Sequence, residues 1–166
     1  MDFPKLHNFN EMYTPPEAMQ YIIPYLSKDM VWWEMCYGQW HMANVLRENW
    51  YSIVWEPWRD CFDEPPVCDG IITNPPFNGN KKFINRAIEL WKPFAFLIRL
   101  EHLGWVEACR LFKDMDIQII IPEKRINYIT PKMMNWEKVW GSPFHSVWLT
   151  HWLNLPKQIN YLSLTD

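Results

Sequence analysis

Residues Asn74-Pro75-Pro76-Phe77 are the stretch of the chain whose types and spacing best suit chemistry. An apolar run ending at Thr73 leads into it, and a polar segment containing Gly79 follows. Two consecutive prolines lack backbone N–H groups and fix φ, so a strand must end there with its carbonyls held in one direction. The amide oxygen of Asn74 adds an acceptor, and Phe77 adds an aromatic face. This combination suits a flat group that carries an exocyclic amine. The alternative interpretation is structural: a strand that ends in a Pro-Pro turn, with the Phe77 side chain packed in the core.

The composition predicts a globular protein with one domain. The chain has 166 residues, of which 49% are apolar and 21% are charged. That length supports one substantial core and is short for two ordinary domains. We predict an N-terminal arm over residues 1–13 and a single domain over residues 14–166. Because the net charge is −3, contact with nucleic acid would have to come from a local basic patch.

Several site classes are not indicated by the composition. The four cysteines form neither a Cys-x-x-Cys pair nor a cluster with histidine, so no metal or disulfide site is predicted. No apolar run approaches the length that spans a bilayer, and the first residues do not resemble a signal peptide. We therefore expect a cytoplasmic protein with no membrane partner. Twelve tryptophans and five glycines are an unusual balance for a chain of this size.

Apolar periodicity predicts strands that alternate with helices. The predicted helices cover 14–26, 41–48, 81–90 and 105–115, and the predicted strands cover 31–35, 51–55, 68–73, 94–100, 117–121, 147–153 and 159–164. Thr14 should cap the first helix, which Pro24 should kink or shorten. The alternation predicts an α/β fold, with a Rossmann-like, doubly wound, mostly parallel sheet and helices on both faces. The continuous apolar run at 94–100 should be central.

Three unusual segments are predicted to follow strands directly. They cover residues 34–38, 56–57 and 74–77. In doubly wound sheets, ligands bind beyond the carboxyl ends of the strands, where the strand order reverses. We therefore expect these segments to meet at one rim of the sheet and to form a binding site there.

These residues, in this order, resemble the class I S-adenosylmethionine-dependent methyltransferases that modify an exocyclic amine, in particular phage-type N6-adenine DNA methyltransferases. Asn-Pro-Pro-Phe after an apolar strand is the most specific element of the resemblance. Glu34-x-x-x-Gly38 before a helix is similar to the family's cofactor loop, and Glu56 to the acid that ends its second strand. Tyr13-Thr14-Pro15 looks like the upstream motif, so the order of the blocks is similar to the gamma arrangement. The resemblance covers residues 13–164.

The resemblance implies a function, a cofactor and a set of site residues. The function is transfer of a methyl group from S-adenosylmethionine to the N6 amine of adenine in DNA, in a host cytoplasm if the chain is viral. The implied cofactor-binding residues are Thr14, Glu34, Gly38, Glu56 and, less directly, Asp60. The implied catalytic residues are Asn74, Pro75, Pro76 and Phe77. The Asn74 oxygen and the Pro75 carbonyl would accept the two amine hydrogens, and Phe77 would stack on a base turned out of the duplex.

Two groups of residues are candidates for contact with nucleic acid. Lys81 and Lys82 lie beside the motif, while Lys124, Arg125 and Trp136 lie in a long polar loop. The lysines and the arginine suit phosphate, and Trp136 suits a base. Solvated surface charge and a loop anchor are the alternative explanations.

The sequence also departs from the family pattern. The family usually has a second glycine two positions after the first, where this chain has Trp40. A tryptophan there would obstruct the turn or the cofactor unless the loop is rearranged. The alternative hypothesis is an inactive protein with the methyltransferase fold that serves as a structural or binding subunit for a protein partner. A third possibility moves the chemistry to RNA or to a protein glutamine, because the motif recognises a planar amine.

Overall fold

The computed structural model describes residues 12–36, 41–56, 60–130 and 142–164. The strands are β1 (Val31–Glu34), β2 (Ser52–Val54), β3 (Gly70–Thr73), β4 (Phe94–Arg99), β5 (Ile117–Pro122), β6 (Ser146–His151) and β7 (Ile159–Leu162). The helices are α1 (Pro16–Gln20), α2 (His41–Glu48), α3 (Asn80–Glu89) and α4 (Val106–Phe112), with 3₁₀ turns at Ile23–Tyr25 and Leu100–Gly104. None of the helices within these ranges is long and apolar enough to cross a membrane.

The seven strands form one sheet in the order β2-β1-β3-β4-β6-β5-β7. Strands β1, β2, β3 and β4 pair in parallel, as do β5 and β7. Strand β6 runs antiparallel to both of its neighbours, β4 and β5. The predicted Rossmann-like, doubly wound and mostly parallel sheet is therefore confirmed. Strand β4 holds the middle position, in agreement with its continuous apolar sequence.

The two faces of the sheet carry separate apolar clusters, because neighbouring residues of a strand point to opposite faces. On one face, Trp32 and Ile72 pack with Met19 of α1 and Leu46 of α2. On the other face, the side chains of the sheet pack with those of α3; these residues include Trp33, Ile71, Phe94, Phe96, Phe83, Ile84 and Ala87. Helices on both faces explain why the strands read as nearly unbroken apolar runs.

The first helix differs from the prediction. It begins at Pro16 with Pro15 as its N-cap residue, and no side chain caps it. Thr14 is instead buried, at 4% exposure, before the helix starts. The helix ends at Gln20, and the chain continues as a 3₁₀ turn around Pro24. The prolines account for both differences, because proline fits the first turn of a helix and cannot donate a hydrogen bond further along it.

Two tryptophans belong to the core and have their indole N–H groups satisfied. Trp32 donates to the carbonyl of Ser27 at 2.9 Å, and Trp148 donates to the carbonyl of Ala18 at 3.0 Å. Both side chains are fully buried. The second bond ties α1 to β6 across the face of the sheet. These two residues are large core side chains whose polar atom has a partner, which is what a buried tryptophan requires.

Three other tryptophans have a backbone conformation that favours glycine. Trp50, Trp91 and Trp152 have φ values of 64°, 52° and 59°. Trp50 follows α2: its N–H donates to the carbonyl of Arg47, and the N–H of Tyr51 donates to that of Leu46. This pair of bonds defines a Schellman motif, in which the residue at the position of Trp50 is usually glycine. The side chain of Trp50 is 86% exposed, so its packing does not offset the strain.

We predict that Trp50→Gly stabilises the protein relative to Trp50→Ala by about 1 kcal/mol, because only glycine adopts this conformation without a clash at Cβ. Both variants remove the indole, so their difference isolates the backbone strain. Urea unfolding followed by circular dichroism measures it. A Trp50→Ala variant as stable as Trp50→Gly would show that the αL conformation carries no strain.

Candidate active site

The carboxyl ends of β1, β2 and β3 form one rim, and the strand order reverses there. Strand β1 lies between β2, which follows it in the chain, and β3, which comes later. Trp33 of β1 pairs with Val54, and Glu34 pairs with Ile72. Beyond the strands, the backbone N–H of Cys36 donates to the hydroxyl of Thr73 at 3.0 Å. This reversal is the place where doubly wound sheets bind their ligands.

Asn74 lies at this rim with its side chain held in one orientation. Its amide Nδ2 donates to the backbone carbonyl of Met12 at 3.0 Å. A carbonyl is only an acceptor, so the amide cannot be turned the other way without setting two oxygens against each other. Its Oδ1 is buried and has no hydrogen-bond partner within the described ranges. The structure therefore presents a fixed acceptor that a ligand donor would satisfy.

The segment that orients Asn74 is itself attached to the domain. Tyr13 exchanges two backbone hydrogen bonds with Ile129, at 2.8 Å and 3.0 Å. The ring of Tyr13 stacks on His41 at the start of α2, with centroids 5.2 Å apart and planes 18° apart. The predicted arm covers residues 1–13, and its two described residues thus lie on the rim, between the motif and the loop after β5.

Phe77 lies in the core cluster beside the rim and is 5% exposed. Its ring makes edge contacts with Tyr128 and Phe144, at centroid distances of 5.4 Å and 4.8 Å. The guanidinium carbon of Arg99 lies over it, 4.8 Å from its centroid. The face that the sequence assigns to a stacked base is thus covered by a cation in this conformation. Stacking requires Arg99 to leave that face.

Arg99 was not among the residues predicted for the site. It ends β4 at the same rim, and its guanidinium also lies 4.2 Å from the ring centroid of Phe144. Its Nε is buried without a hydrogen-bond partner in the described part of the chain. The signal in the sequence is a single charged residue at the carboxyl end of the central apolar strand.

The Pro-Pro turn leads into α3 through a glycine that the backbone requires. Pro75 is buried and Pro76 is half-buried. Gly79 has φ 81° at the N-cap position of α3. The buried side chains of Asn80 and His102 then hydrogen-bond to each other. This pair, which sequence reasoning missed, fixes the start of α3 against the 3₁₀ turn that follows β4.

Glu34 is a buried carboxylate at the reversal point. The backbone N–H of Ala43, in the first turn of α2, lies near it and lowers its pKa. Its Oε2 is buried and has no partner among the described residues. Burial raises the pKa of Glu34 to about 7, against the smaller lowering effects of the Ala43 N–H and the Arg47 charge. An ammonium or hydroxyl donor of a cofactor would satisfy this oxygen, so Glu34 fits the group that the sequence predicts.

The other predicted cofactor residues are less closely grouped. Thr14 is buried beside the arm, and Glu56 is half-buried two residues beyond the end of β2. Asp60 is exposed, and its carboxylate accepts a hydrogen bond from the N–H of Phe62 at 3.0 Å, which closes a local turn. Gly38 and Trp40 lie outside the described residues.

The predicted basic residues form two separate groups. Lys81 and Lys82 begin α3, where Lys81 approaches Glu107 at 3.8 Å and Lys82 lies over the Phe62 ring. Lys124 and Arg125 follow β5 and line a groove of about 570 Å³ that α1 residues also line. Trp136 lies outside the described residues.

We predict that the Glu34→Gln variant becomes more stable relative to the wild type as the pH rises. The pKa of Glu34 is higher in the folded than in the unfolded state. Its contribution to the free energy of unfolding of the wild type is therefore fully present below pH 4.5 and is lost as the pH rises through about 7. Glutamine has no charge to bury, so the variant should gain about 3 kcal/mol on the wild type between those limits. Urea unfolding at about pH 5 and about pH 8 measures the difference.

Glu48→Gln, at the exposed end of α2, is the control because it removes the same charge without changing a buried group. It should differ from the wild type by the same amount at both pH values. A Glu34→Gln difference that does not change with pH would contradict the assignment of a buried, protonated Glu34.

A scan against protein-family models and a search of curated proteins found no match to this chain. The functional expectation therefore rests on the order of the motifs in the sequence and on the rim geometry. The two buried acceptors, Oε2 of Glu34 and Oδ1 of Asn74, are the strongest elements of that geometry.

Proposed function

We propose that the chain transfers a methyl group from S-adenosylmethionine to the exocyclic N6 amine of adenine in DNA, in the cytoplasm of the cell where it acts. The observation that carries this proposal is the side chain of Asn74. Its donor end is engaged by Met12, and its acceptor end is buried without a partner among the described residues. An exocyclic amine supplies the hydrogen that this acceptor lacks.

The chemistry requires an amine to be made nucleophilic. The lone pair of an adenine amine is delocalised into the ring, so the planar nitrogen attacks poorly. Hydrogen bonds from the amine to Asn74 Oδ1 and to the Pro75 carbonyl favour a tetrahedral nitrogen with its lone pair exposed. The two prolines cannot donate backbone hydrogen bonds, so their carbonyls keep a fixed direction. Orientation is the main contribution of these residues.

The cofactor would be held at the reversal point by residues of the first two strands. The bound sulfonium supplies an activated methyl group, so no strong protein base is required. Glu34 would pair with a positively charged or hydroxyl donor, and Glu56 would accept hydrogen bonds from the ribose hydroxyls. The buried Thr14 directly follows the two arm residues that contact the rim.

DNA is the substrate that the family resemblance implies, with RNA as an alternative that uses the same amine. A base must leave its stack before its amine can reach Asn74. Lys81 and Lys82, which directly follow the motif, are the basic residues placed to meet the backbone of a strand whose base enters the site.

A second candidate function is a binding subunit without activity. It is favoured by exposed aromatic residues at the opposite end of the sheet. Trp91 is 74% exposed and contacts Trp152 edge to face, with ring centroids 5.1 Å apart. A protein partner that covers these rings would bury them. Methyl transfer to nucleic acid would exclude this candidate.

We predict that Asn74→Ala lowers methyl transfer at least about 100-fold, the usual cost of removing a preorganised polar contact from a transition state. Transfer of a radiolabelled methyl group to adenine-containing DNA measures it. The fold should persist, because the variant removes one hydrogen bond to Met12.

Asn78→Ala is the matched control, since Asn78 is exposed in the turn after the motif. It should keep nearly full activity. An Asn74→Ala variant as active as Asn78→Ala would contradict the proposed role of the amide. A wild-type chain that methylates neither DNA nor RNA would contradict the proposed function.

A further inference from the structure

Arg99 is a cation at the rim that forms no ion pair with any described residue. It has no hydrogen bond or ion pair within the described ranges, and its Nε is buried. Its side chain is half-buried between the rings of Phe77 and Phe144. Aromatic rings attract a guanidinium through cation–π contacts. A charge removed from water is nevertheless costly unless an anion pairs with it. No residue in the described part of the chain forms an ion pair with Arg99.

We propose that Arg99 binds the phosphate of the nucleotide whose base enters the site, and that this contact uncovers Phe77. The inference rests on the proposed function. A guanidinium matches a phosphate in shape and charge and forms paired hydrogen bonds with it. Arg99 now lies 4.8 Å from the Phe77 ring centroid, on the face that a planar base would need. When the phosphate draws the guanidinium away, the base takes its place on the ring.

This exchange gives Arg99 two linked effects. In the free protein it covers Phe77 and keeps water from an apolar face beside Asn74. In the complex it holds the strand by its backbone, which is independent of base identity. Arg99 is thus a positioning residue for the substrate, and the cofactor site at β1 and β2 does not depend on it.

The test compares Arg99→Met with Arg110→Met, which removes the same charge from an exposed position on α4. Binding of a short adenine-containing DNA is measured by fluorescence anisotropy over a range of salt concentrations. Arg99→Met should reduce the slope of log affinity against log salt by about 1, and Arg110→Met should leave it unchanged. Methylation assays should show a KM raised about 10-fold or more by Arg99→Met, with kcat changed little. Arg99→Lys, which retains the charge, should keep the slope. Arg99→Gln, which removes the charge with a polar side chain, replaces the methionine variant if that variant fails to fold, and should lower the slope by the same amount.

The outcomes separate the two proposals. Equal slopes and equal KM values for Arg99→Met and Arg110→Met, in a chain whose wild type transfers methyl groups, would overturn the role of Arg99 and leave the function standing. A wild type that binds DNA through Arg99 without transferring methyl groups would overturn the function and leave the phosphate contact standing.

A separate observation, the backbone of the three strained tryptophans, carries a second inference. We infer that the codons for Trp50, Trp91 and Trp152 are read as glycine where the gene is naturally expressed. Trp50 and Trp91 follow helices at positions that usually hold glycine, and all three have positive φ. The chain has twelve tryptophans and five glycines. The UGA codon is a stop in the standard code, but some genetic codes assign it to tryptophan and others to glycine.

The tryptophans then divide into two classes that can be checked independently. Trp32 and Trp148 are buried, with bonded indole N–H groups, and should be tryptophan under any decoding. We place Trp40 with Trp50, Trp91 and Trp152, the residues expected to be glycine, because of its position in the sequence. The family that this chain resembles has its second cofactor-loop glycine there. Glycine at position 40 removes the obstacle in the cofactor loop, and glycine at positions 91 and 152 removes the exposed rings, so both arguments for the inactive alternative fail together.

Peptide mass spectrometry of the chain purified from its natural source decides the matter. We expect glycine at positions 50, 91 and 152, and tryptophan at Trp32 and Trp148. The gene should carry the codon UGA at positions 50, 91 and 152 and the codon UGG at positions 32 and 148. Tryptophan at all five positions in the natural protein, encoded by UGG throughout, would overturn the inference.

Discussion

The hydrogen bond from Asn74 to the carbonyl of Met12 is the contact on which the proposed site depends. It fixes which end of the amide faces the rim, and it does so because a carbonyl cannot donate. The bond in turn depends on the arm, which the backbone pairing of Tyr13 with Ile129 holds in place. A segment before the first helix and a loop after the fifth strand thus fix the orientation of the amide that follows the third strand.

A buried carboxyl and a guanidinium give the rim its electrostatic character. Glu34 is buried at one side with an oxygen that lacks a partner among the described residues, and burial raises its pKa to about 7. Arg99 lies at the other side, against aromatic rings. Neither neutralises the other within the described structure, where Arg99 forms no ion pair. A buried carboxyl oxygen without a partner suits a hydrogen-bond donor of a ligand, and a guanidinium without an ion pair among the described residues suits a phosphate.

Much of the fold could be predicted because its strands are continuous apolar runs separated by helical periodicity. The helix at 41–48 was predicted with its observed ends, and β4 was predicted to be central. The direction of β6 was not predicted, because an apolar strand reads the same whether it runs parallel or antiparallel. Pro24 was recognised as a possible break, but the start of α1 was placed too early because Thr14 is a good capping residue that is buried here instead.

Residues of the candidate site could be predicted from the sequence, but the side chains that surround them could not. Asn74 and Glu34 stand out because polar residues directly follow apolar strands. The position of Arg99 over Phe77 depends on contacts between residues far apart in sequence, and local patterns do not encode these. The glycine-like backbone at Trp50 was also hidden, since the residue type argues against the conformation that the helix end requires.

We propose that the rim binds S-adenosylmethionine beside Asn74. Calorimetric titration with S-adenosylhomocysteine, the product form of the cofactor, tests it without requiring a nucleic-acid substrate. The account predicts one-site binding by the chain or its Trp40→Gly variant, with an affinity that falls on replacing Glu34 by alanine. Absence of binding heat for both chains at high ligand concentration would contradict it.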